Sequence, residues 1–524
     1  MKISVQKRYL WMPVSIGSQE IKLNMYVDEM KIQEIDIHFA KDEPEYYACM
    51  DMSRFMNQEL KIVSDEKEFE ESKLIFSDKK PENNDTHYPQ IHFAPETGWI
   101  NDPNGLIYDK GVYHLFYQYN PYGCTWGNMQ WGHATSPDLL HWDRQEIAME
   151  PDCYGTVYSG CAIKDEKNLL GYGEDTLLFY YTAAGGRNEW SVQAGNLFTQ
   201  RLAYSIDGGK TLIKSDRFVL PHIEGENRDP KIFWHGATES YICVLYLDNN
   251  DFLILRSTDL LHWEQTQKLT VPGMWECPDL MELSVVNIEN EKKWVFFSAD
   301  GYYQVGHFDG REFHTEQEVQ MAYATRLPYA AQSYSGVGDQ VIAVPWFRMD
   351  NHRENYRGQM GMPMRLSLRK TKGKYCLKFT PVVEYEKLKK EETLYTLKDE
   401  VTFSPEGTAG ELNLKCPVQT RGQVDIWIGQ THLCLDFDER EGKLLSENKK
   451  PLIDSKPQYL FSIDDEHDFD IRILVDEKSV EVLAYKGCVY AAIEQEEAVL
   501  KQDIRLSSSK EEMLFSWKKI TQRK

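Results

Sequence analysis

The hydrophobic positions of this chain fall in short runs rather than helical stripes. Apolar stretches of four or five residues recur, among them Leu177-Leu178-Phe179-Tyr180-Tyr181, Tyr241-Ile242-Cys243-Val244-Leu245, Trp294-Val295-Phe296-Phe297 and Val341-Ile342-Ala343-Val344. Polar and glycine-containing segments separate them, as turns separate buried strands. Elsewhere the pattern alternates. Ile35-Asp36-Ile37-His38-Phe39 does so near the start, and Asp470-Ile471-Arg472-Ile473-Leu474-Val475 and Ser479-Val480-Glu481-Val482-Leu483 near the end. Period two is that of a strand with one face buried. The pattern predicts an all-β protein.

One segment repeats. Ser136-Pro137-Asp138-Leu139-Leu140-His141-Trp142 returns as Ser257-Thr258-Asp259-Leu260-Leu261-His262-Trp263, with a degenerate copy at Ser205-Ile206-Asp207-Gly208-Gly209-Lys210-Thr211. Ser-x-Asp turns are common in β proteins, but the shared Leu-Leu-His-Trp argues against coincidence. Each copy follows one strand run and leads into another. In chain order the copies start 69 and 52 residues apart, a size that suits four-stranded propeller blades with insertions. The alternating C-terminal part suits a β-sandwich. The early part is set off by Glu66 to Asn84, a charged and then polar stretch with Pro81 that reads as a linker. Three units are expected: a small N-terminal β domain over 1–86, a propeller over 87–370 and a sandwich over 371–524. The Lys- and Glu-rich stretch Val382 to Glu392 reads as a short helix or a solvated connector.

Composition narrows the function. At 524 residues the chain exceeds one core, and 41% hydrophobic residues is ordinary for a globular protein. A net charge of −24 argues against nucleic acid, anionic membranes and acidic polysaccharides, and favours a neutral substrate. No run approaches the roughly 20 apolar residues of a membrane span. The apolar stretch within Met1 to Gly17 is short and broken by Pro13, so no secretory signal is read and a cytoplasmic location is expected. The 10 cysteines are scattered without CxxC, which argues against structural zinc and a disulfide framework.

Candidate chemistry concentrates around Gly98-Trp99-Ile100-Asn101-Asp102-Pro103-Asn104-Gly105. Asp-Pro-Asn-Gly on its own predicts a turn, because proline presets φ and glycine accepts positive φ. Its surroundings are unusual: residues 99–131 hold nine aromatics, against about four at the chain average of 12%. Asn101, Asn104, Gln118, Asn120 and Asn128 are interleaved with them. Aromatic faces suit sugar C–H groups, and amides offer donors and acceptors to hydroxyls. Two more carboxylates stand beside prolines, in Arg228-Asp229-Pro230 and Trp275-Glu276-Cys277-Pro278. Taken alone, Asp229 reads as readily as a structural ion pair with Arg228 as a functional group, and Asp279, after Pro278, as readily as a simple turn.

Together these motifs resemble glycoside hydrolase family 32, the β-fructosidases. The matching residues are Trp99-Ile100-Asn101-Asp102-Pro103-Asn104-Gly105, Arg228-Asp229-Pro230 and Glu276-Cys277, in the family's order. Smaller matches are Phe116-Tyr117-Gln118-Tyr119-Asn120-Pro121, Trp131-Gly132-His133, Tyr158-Ser159-Gly160 and Tyr329-Ala330-Ala331-Gln332. Ile100, Tyr158 and Cys161 depart from the family's usual residues, which touches fine specificity rather than chemistry. The resemblance implies a five-bladed propeller with its site in the central funnel. It implies Asp102 as nucleophile, Glu276 as acid/base and Asp229 as the carboxylate that grips fructose hydroxyls. It further implies Asn101, Gln118, Trp126, Tyr158, Ser159, Arg228 and Trp346 as sugar-binding residues, and no metal or cofactor.

Mechanistic expectations follow from those roles. The Asn101 and Asn104 amides would hold Asp102 ionised. Glu276 must keep a proton, with Trp275 excluding water from it and Asp102 nearby. Arg228 would keep Asp229 ionised. Retention of configuration requires the Asp102 and Glu276 carboxyls to lie about 5–5.5 Å apart. His133 reads as a structural, hydrogen-bonded residue, and Cys277 as a small buried neighbour of Glu276. Hydrolysis of terminal β-fructofuranosides leads over fructosyl transfer with the same carboxylates and over fructan binding without catalysis. Linkage preference and oligomeric state stay open at this level.

Overall fold

The computed structural model describes residues 2–64, 66, 69–83, 88–350, 355–446, 458–463, 467–510 and 512–520. Its strands form nine sheets, and among the described residues only Glu189–Ala194 and Val383–Leu388 are α-helical. No described helix is long and apolar enough to cross a membrane.

Five consecutive sheets make the propeller. Blade I holds Gly98–Asp109, Val112–Asn120, Gln130–Ser136 and Asp143–Arg144. Blade II runs from Thr156–Lys164 to Ile213–Leu220, and blade III from Arg228–His235 to Glu264–Thr270. Blade IV runs from Asp279–Ser284 to Phe313–Thr315, and blade V from Pro328–Ser333 to Lys374–Pro381. Along each blade the four main strands pair antiparallel in chain order; helix Glu189–Ala194 interrupts one connection of blade II, and two short strands interrupt one of blade V. The first strands of blades I and II, II and III, and V and I pack on one another around the axis. The continuous apolar runs are strands covered on both faces, as in Leu177–Ala184, which is buried throughout.

The ring closes through backbone bonds between blades V and I. Tyr108 N donates to Ser335 O at 2.9 Å, and Ser335 N donates to Leu106 O at 3.0 Å. The two-residue strand Tyr356–Arg357 then pairs in parallel with Gly98–Trp99. Blade V extends to Pro381, so the boundary expected at 370/371 falls inside its outer hairpin. The repeated Ser-x-Asp segment is the turn between the third and fourth strands of blades I, II and III.

The stretch read as helix or connector is both a helix and a strand. Val383–Leu388 is helical, and Lys389–Leu397 joins the first of two six-stranded sheets that form the C-terminal sandwich. Sandwich and propeller share one apolar core, in which Tyr323 and Phe379 of the propeller meet Tyr490. The N-terminal domain has its own core between a four-stranded and a three-stranded sheet, with Tyr122 and Cys124 of the propeller inserted. The expected linker contributes a strand of its own, since Ile75–Ser77 pairs with Tyr9–Trp11. The expected boundary at 86/87 lies outside the described residues.

Candidate active site

The ten residues singled out from the sequence line one funnel of about 330 Å³: Asn101, Asp102, Gln118, Trp126, Tyr158, Ser159, Arg228, Asp229, Glu276 and Trp346. Met129, Arg187, Glu226 and Tyr329 complete the wall.

What delivers these side chains is a defect repeated around the ring. In blade I the pairing register slips between Ile100 and Pro103, leaving Asn101 and Asp102 as the bulged residues. In blade II it slips between Val157 and Gly160, at Tyr158 and Ser159. In blade III it slips between Arg228 and Lys231, at Asp229 and Pro230, and in blade V between Tyr329 and Gln332. A bulge bends the strand and re-aims side chains that would otherwise alternate. Blade IV reaches the same end with Glu276 and Cys277 just before its first strand. Asp229, Glu276, Cys277 and Ala330 all have positive φ, of 63°, 29°, 43° and 48°. Non-glycine residues rarely adopt this region, and such strain gathers at functional sites.

The turn expected at Asp-Pro-Asn-Gly is therefore absent. Gly98–Asp109 is one strand with two bulges, the second between Asn104 and Ile107, where Gly105 takes φ 53°. Proline is tolerated there because a bulge needs no ladder donor. The hairpin turn comes later, at Lys110-Gly111, with φ of 48° and 88°.

Asp102 is held by three donors. Ser159 Oγ donates to Oδ2 at 2.7 Å, Asn101 Nδ2 to Oδ1 at 3.2 Å, and Cys277 Sγ to Oδ2 at 3.5 Å. Burial and the Glu276 carboxylate still raise its pKa above the ordinary aspartate value. Asn104 does not share in this: its Oδ1 accepts from Gly160 N at 3.3 Å, which fixes blade II against blade I.

Arg228 also departs from expectation. Its Nη2 and Nε lie 2.7 and 3.1 Å from Glu276 Oε2, whereas the nearest Asp229 oxygen is 3.7 Å away. The guanidinium therefore serves Glu276, and its third edge donates to Glu226 O at 2.9 Å. Asp229 Oδ2 accepts from Cys277 N at 3.1 Å, and the Cys277 thiol, which lies between the Asp102 and Asp229 carboxylates, is 3.4 Å from the same oxygen. Burial, reinforced by the Glu276 and Asp102 carboxylates, outweighs the opposing field of the Arg228 guanidinium and pushes the Asp229 pKa up to about 7. The second oxygen of Glu276 accepts from the Tyr329 hydroxyl. Trp275 does not cover Glu276; it turns outward and packs on Tyr246. Tyr329 and Arg228 enclose the carboxylate instead.

Around this centre stand two aromatic groups. Trp126 meets Tyr158 edge-on at 5.9 Å, and Trp346 meets Trp99 and Tyr329 at 5.6 and 6.2 Å. Gln118 Oε1 and Nε2 and Trp346 Nε1 are buried yet find no partner among the described residues. Buried polar atoms normally have partners; of the unpartnered ones among the described residues, these three belong to residues that line the funnel. Asn120 and Asn128 are structural: Asn128 Nδ2 donates to Asn120 Oδ1 at 3.1 Å, and Asn120 Nδ2 to Thr125 O at 2.9 Å. His133 is buried, stacked on Phe116 and bonded to His114, and burial pushes its pKa down to about 3.

A propeller carrying three carboxylates in its axial funnel, followed by a sandwich, is the architecture of a glycosidase class, and the chain belongs to that class. The model of the glycosyl hydrolases family 32 N-terminal domain matches residues 92–379, more than half of the chain. The levanase of Bacillus subtilis is 32% identical over 76% of this chain, which spans 65% of that protein's length. An extracellular exo-inulinase of Aspergillus niger is 30% identical over 61% of this chain and 69% of its own. Among solved structures, the exo-inulinase of Aspergillus awamori superposes with a TM-score of 0.73 at 25% identity, covering 83% of this chain and 98% of that one.

Tyr329, Arg187 and Glu226 were missed as site residues. Tyr329 lies in one of the smaller matched segments, but nothing in the sequence shows that blade V would aim it at Glu276. Arg187 and Glu226 sit in polar loops whose meeting depends on how blades II and III stand side by side.

Proposed function

We propose that the chain is a retaining β-fructosidase that releases terminal fructose from fructans, fructo-oligosaccharides or sucrose. One observation carries the reading: Asp102, Asp229 and Glu276 converge in one funnel beside unpartnered Gln118 and Trp346 atoms suited to sugar hydroxyls. The levanase and exo-inulinase relatives support the substrate class.

In this reading Asp102 attacks the anomeric carbon of the fructosyl unit while Glu276 gives its proton to the departing glycosidic oxygen. The C–O bond to the leaving sugar breaks as the ester to Asp102 forms. Glu276, now a carboxylate, takes a proton from water, whose oxygen displaces Asp102 and frees fructose with its configuration kept. Ser159, Asn101 and Cys277 aim Asp102, and Tyr329 and Arg228 fix the direction of Glu276. Asp229, with Gln118, receives hydroxyls of the fructosyl ring.

The test is product analysis on sucrose, nystose, inulin and levan, with NMR of the first-formed anomer. Free fructose of retained configuration is the expected product. An inverted product would refute Asp102 as nucleophile, and growth of oligosaccharides in place of fructose would make the chain a transferase.

A further inference from the structure

The funnel has two tiers. The inner tier is Asp102, Asp229, Glu276 and the side chains on them. The outer tier is Trp126, Arg187 and Glu226, all exposed or half-buried. The outer tier lies on the side of Glu276: Arg228, which holds Glu276, also donates to Glu226 O, and the Glu226 carboxylate pairs with Arg187. A sugar leaving from Glu276 would pass this pair.

Two outer-tier loops are fastened by the N-terminal domain through one strand. Met30–His38 is the edge strand of the four-stranded sheet. Its free edge would otherwise expose unpaired backbone groups. Asp36 N donates to Asn128 Oδ1 at 2.8 Å, Asn128 Nδ2 donates to Asp36 O at 2.7 Å, and His38 N donates to Tyr122 O at 3.2 Å. This ties down the loop that carries Trp126.

Two residues along the strand, Glu34 reaches the other loop. Its side chain is 2% exposed, and its oxygens accept from Glu189 N at 2.9 Å and Trp190 N at 3.2 Å, the first amides of helix Glu189–Ala194. Lys31 and Lys22 neutralise it at 2.5 and 3.3 Å. Arg187 stands just before this helix, its guanidinium 5.8 Å from the Phe198 ring, which meets Tyr158 edge-on. A buried carboxylate from one domain thus fixes a loop of another, and the only funnel-lining residue on that loop is Arg187.

We infer that the N-terminal domain is part of the substrate site: Glu34 is a positioning residue that sets Arg187, and the Arg187–Glu226 pair is a subsite for the sugar chain leaving from the terminal fructose. The pair suits a neutral, hydroxyl-rich ligand, because its donors and acceptors are already charge-balanced. The inference rests on the fructosidase reading above.

The test compares methyl β-D-fructofuranoside, whose leaving group carries no sugar, with nystose, whose leaving group is a trisaccharide. Glu34→Gln keeps the volume and removes the charge. It is expected to raise KM for nystose about three- to tenfold, leaving kcat on nystose and kcat/KM on the methyl glycoside within twofold. In an Arg187→Ala background the same substitution should add nothing, since coupled residues are not additive. Should Glu34→Gln unfold, Lys31→Met removes one ion pair, keeps both amide bonds, and should show the same split on a smaller scale. Equal losses on both substrates, no loss on either, or full additivity with Arg187→Ala would overturn the inference. A wild-type protein that cleaves neither substrate would instead overturn the fructosidase reading.

Discussion

At the scale of single residues, the centre is a contest between three carboxylates for little positive charge. Arg228 is committed to Glu276, and Asp102 has neutral donors from Ser159, Asn101 and Cys277. Asp102→Asn keeps the fold and removes the nucleophile. Turnover should fall by about 10⁴-fold or more, as when other nucleophiles are removed, with an unchanged melting temperature within a few degrees. Asp229 bears the electrostatic cost of this arrangement, since burial and its two acidic neighbours outweigh the field of Arg228 and push it to about 7. An unfolded aspartate titrates at about 3.9. Between these values the native chain binds more protons than the unfolded one, so this group's contribution to stability falls as pH rises from about 4 to 7. Asp229→Asn removes the charge, and its melting temperature relative to wild type should increase from pH 5 to pH 8. The gain should be on the order of 1 °C for each kcal/mol relieved, since unfolding entropy is about 2.1 cal/mol/K per residue and the chain has 524 residues. Calorimetry at both pH values checks this, and a gain no larger at pH 8 would remove Asp229 as the strained carboxylate. Its activity should collapse at either pH, the usual exchange of stability for function.

At the scale of elements, the repeated turn is built the same way in blades I and III. In blade I, Asp138 Oδ1 accepts from Leu140 N and His141 N at 3.1 and 2.9 Å, and Oδ2 meets His141 Nδ1 at 2.7 Å. Blade III repeats this with Asp259, Leu261 and His262 at 3.0, 2.8 and 2.6 Å. The turn needs positive φ at Leu139 and Leu260, of 68° and 67°, so the carboxylate stabilises an unfavourable backbone. Asp138→Ala should cost about 1–2 kcal/mol in urea unfolding with m unchanged, and Asp138→Asn less, since the amide oxygen still accepts. Such turns were legible because their hydrogen bonds are local and their side chains stand in the motif itself. The strand runs were legible for the same reason, each being a patterned stretch a few residues long. The bulges were not. Asp102-Pro103-Asn104-Gly105 is locally a good turn, and only pairing with Val112–Asn120 on one side and closure against blade V on the other hold it extended. The partner of Arg228 was hidden likewise: Asp229 is adjacent in sequence, but Glu276, 48 positions on, is adjacent in space. The carboxylates themselves could be named because the motifs carry them; their electrostatic arrangement could not, because it is decided between blades.

At the scale of the whole molecule, domains are joined by buried polar straps, and the one between propeller and sandwich is titratable. His92, just ahead of blade I, is fully enclosed, with Nδ1 2.8 Å from Asp476 Oδ2 and Nε2 2.6 Å from Glu481 Oε1. Asp476 also accepts from the backbone of Gln90, Ile91 and His92, and the Tyr490 hydroxyl donates to Glu481. Both ring nitrogens face carboxylates, so the charged imidazolium is the form that satisfies the site. Although burial opposes the charge, the hydrogen bonds and fields of Asp476 and Glu481 raise the His92 pKa to about 9. A histidine raised in the folded state contributes stability that is complete below its unfolded value of about 6.5 and is lost as pH climbs through about 9. The propeller–sandwich junction should therefore weaken between about pH 6.5 and 9. His92→Gln would leave two buried carboxylates without their cation, costing about 3–5 kcal/mol near neutrality. Its penalty should shrink as pH rises to 10, where wild type has lost the same proton. Melting curves of both proteins across that interval decide the matter: converging curves mark His92 as the strap's charge, and parallel curves assign the alkaline loss of stability to other groups.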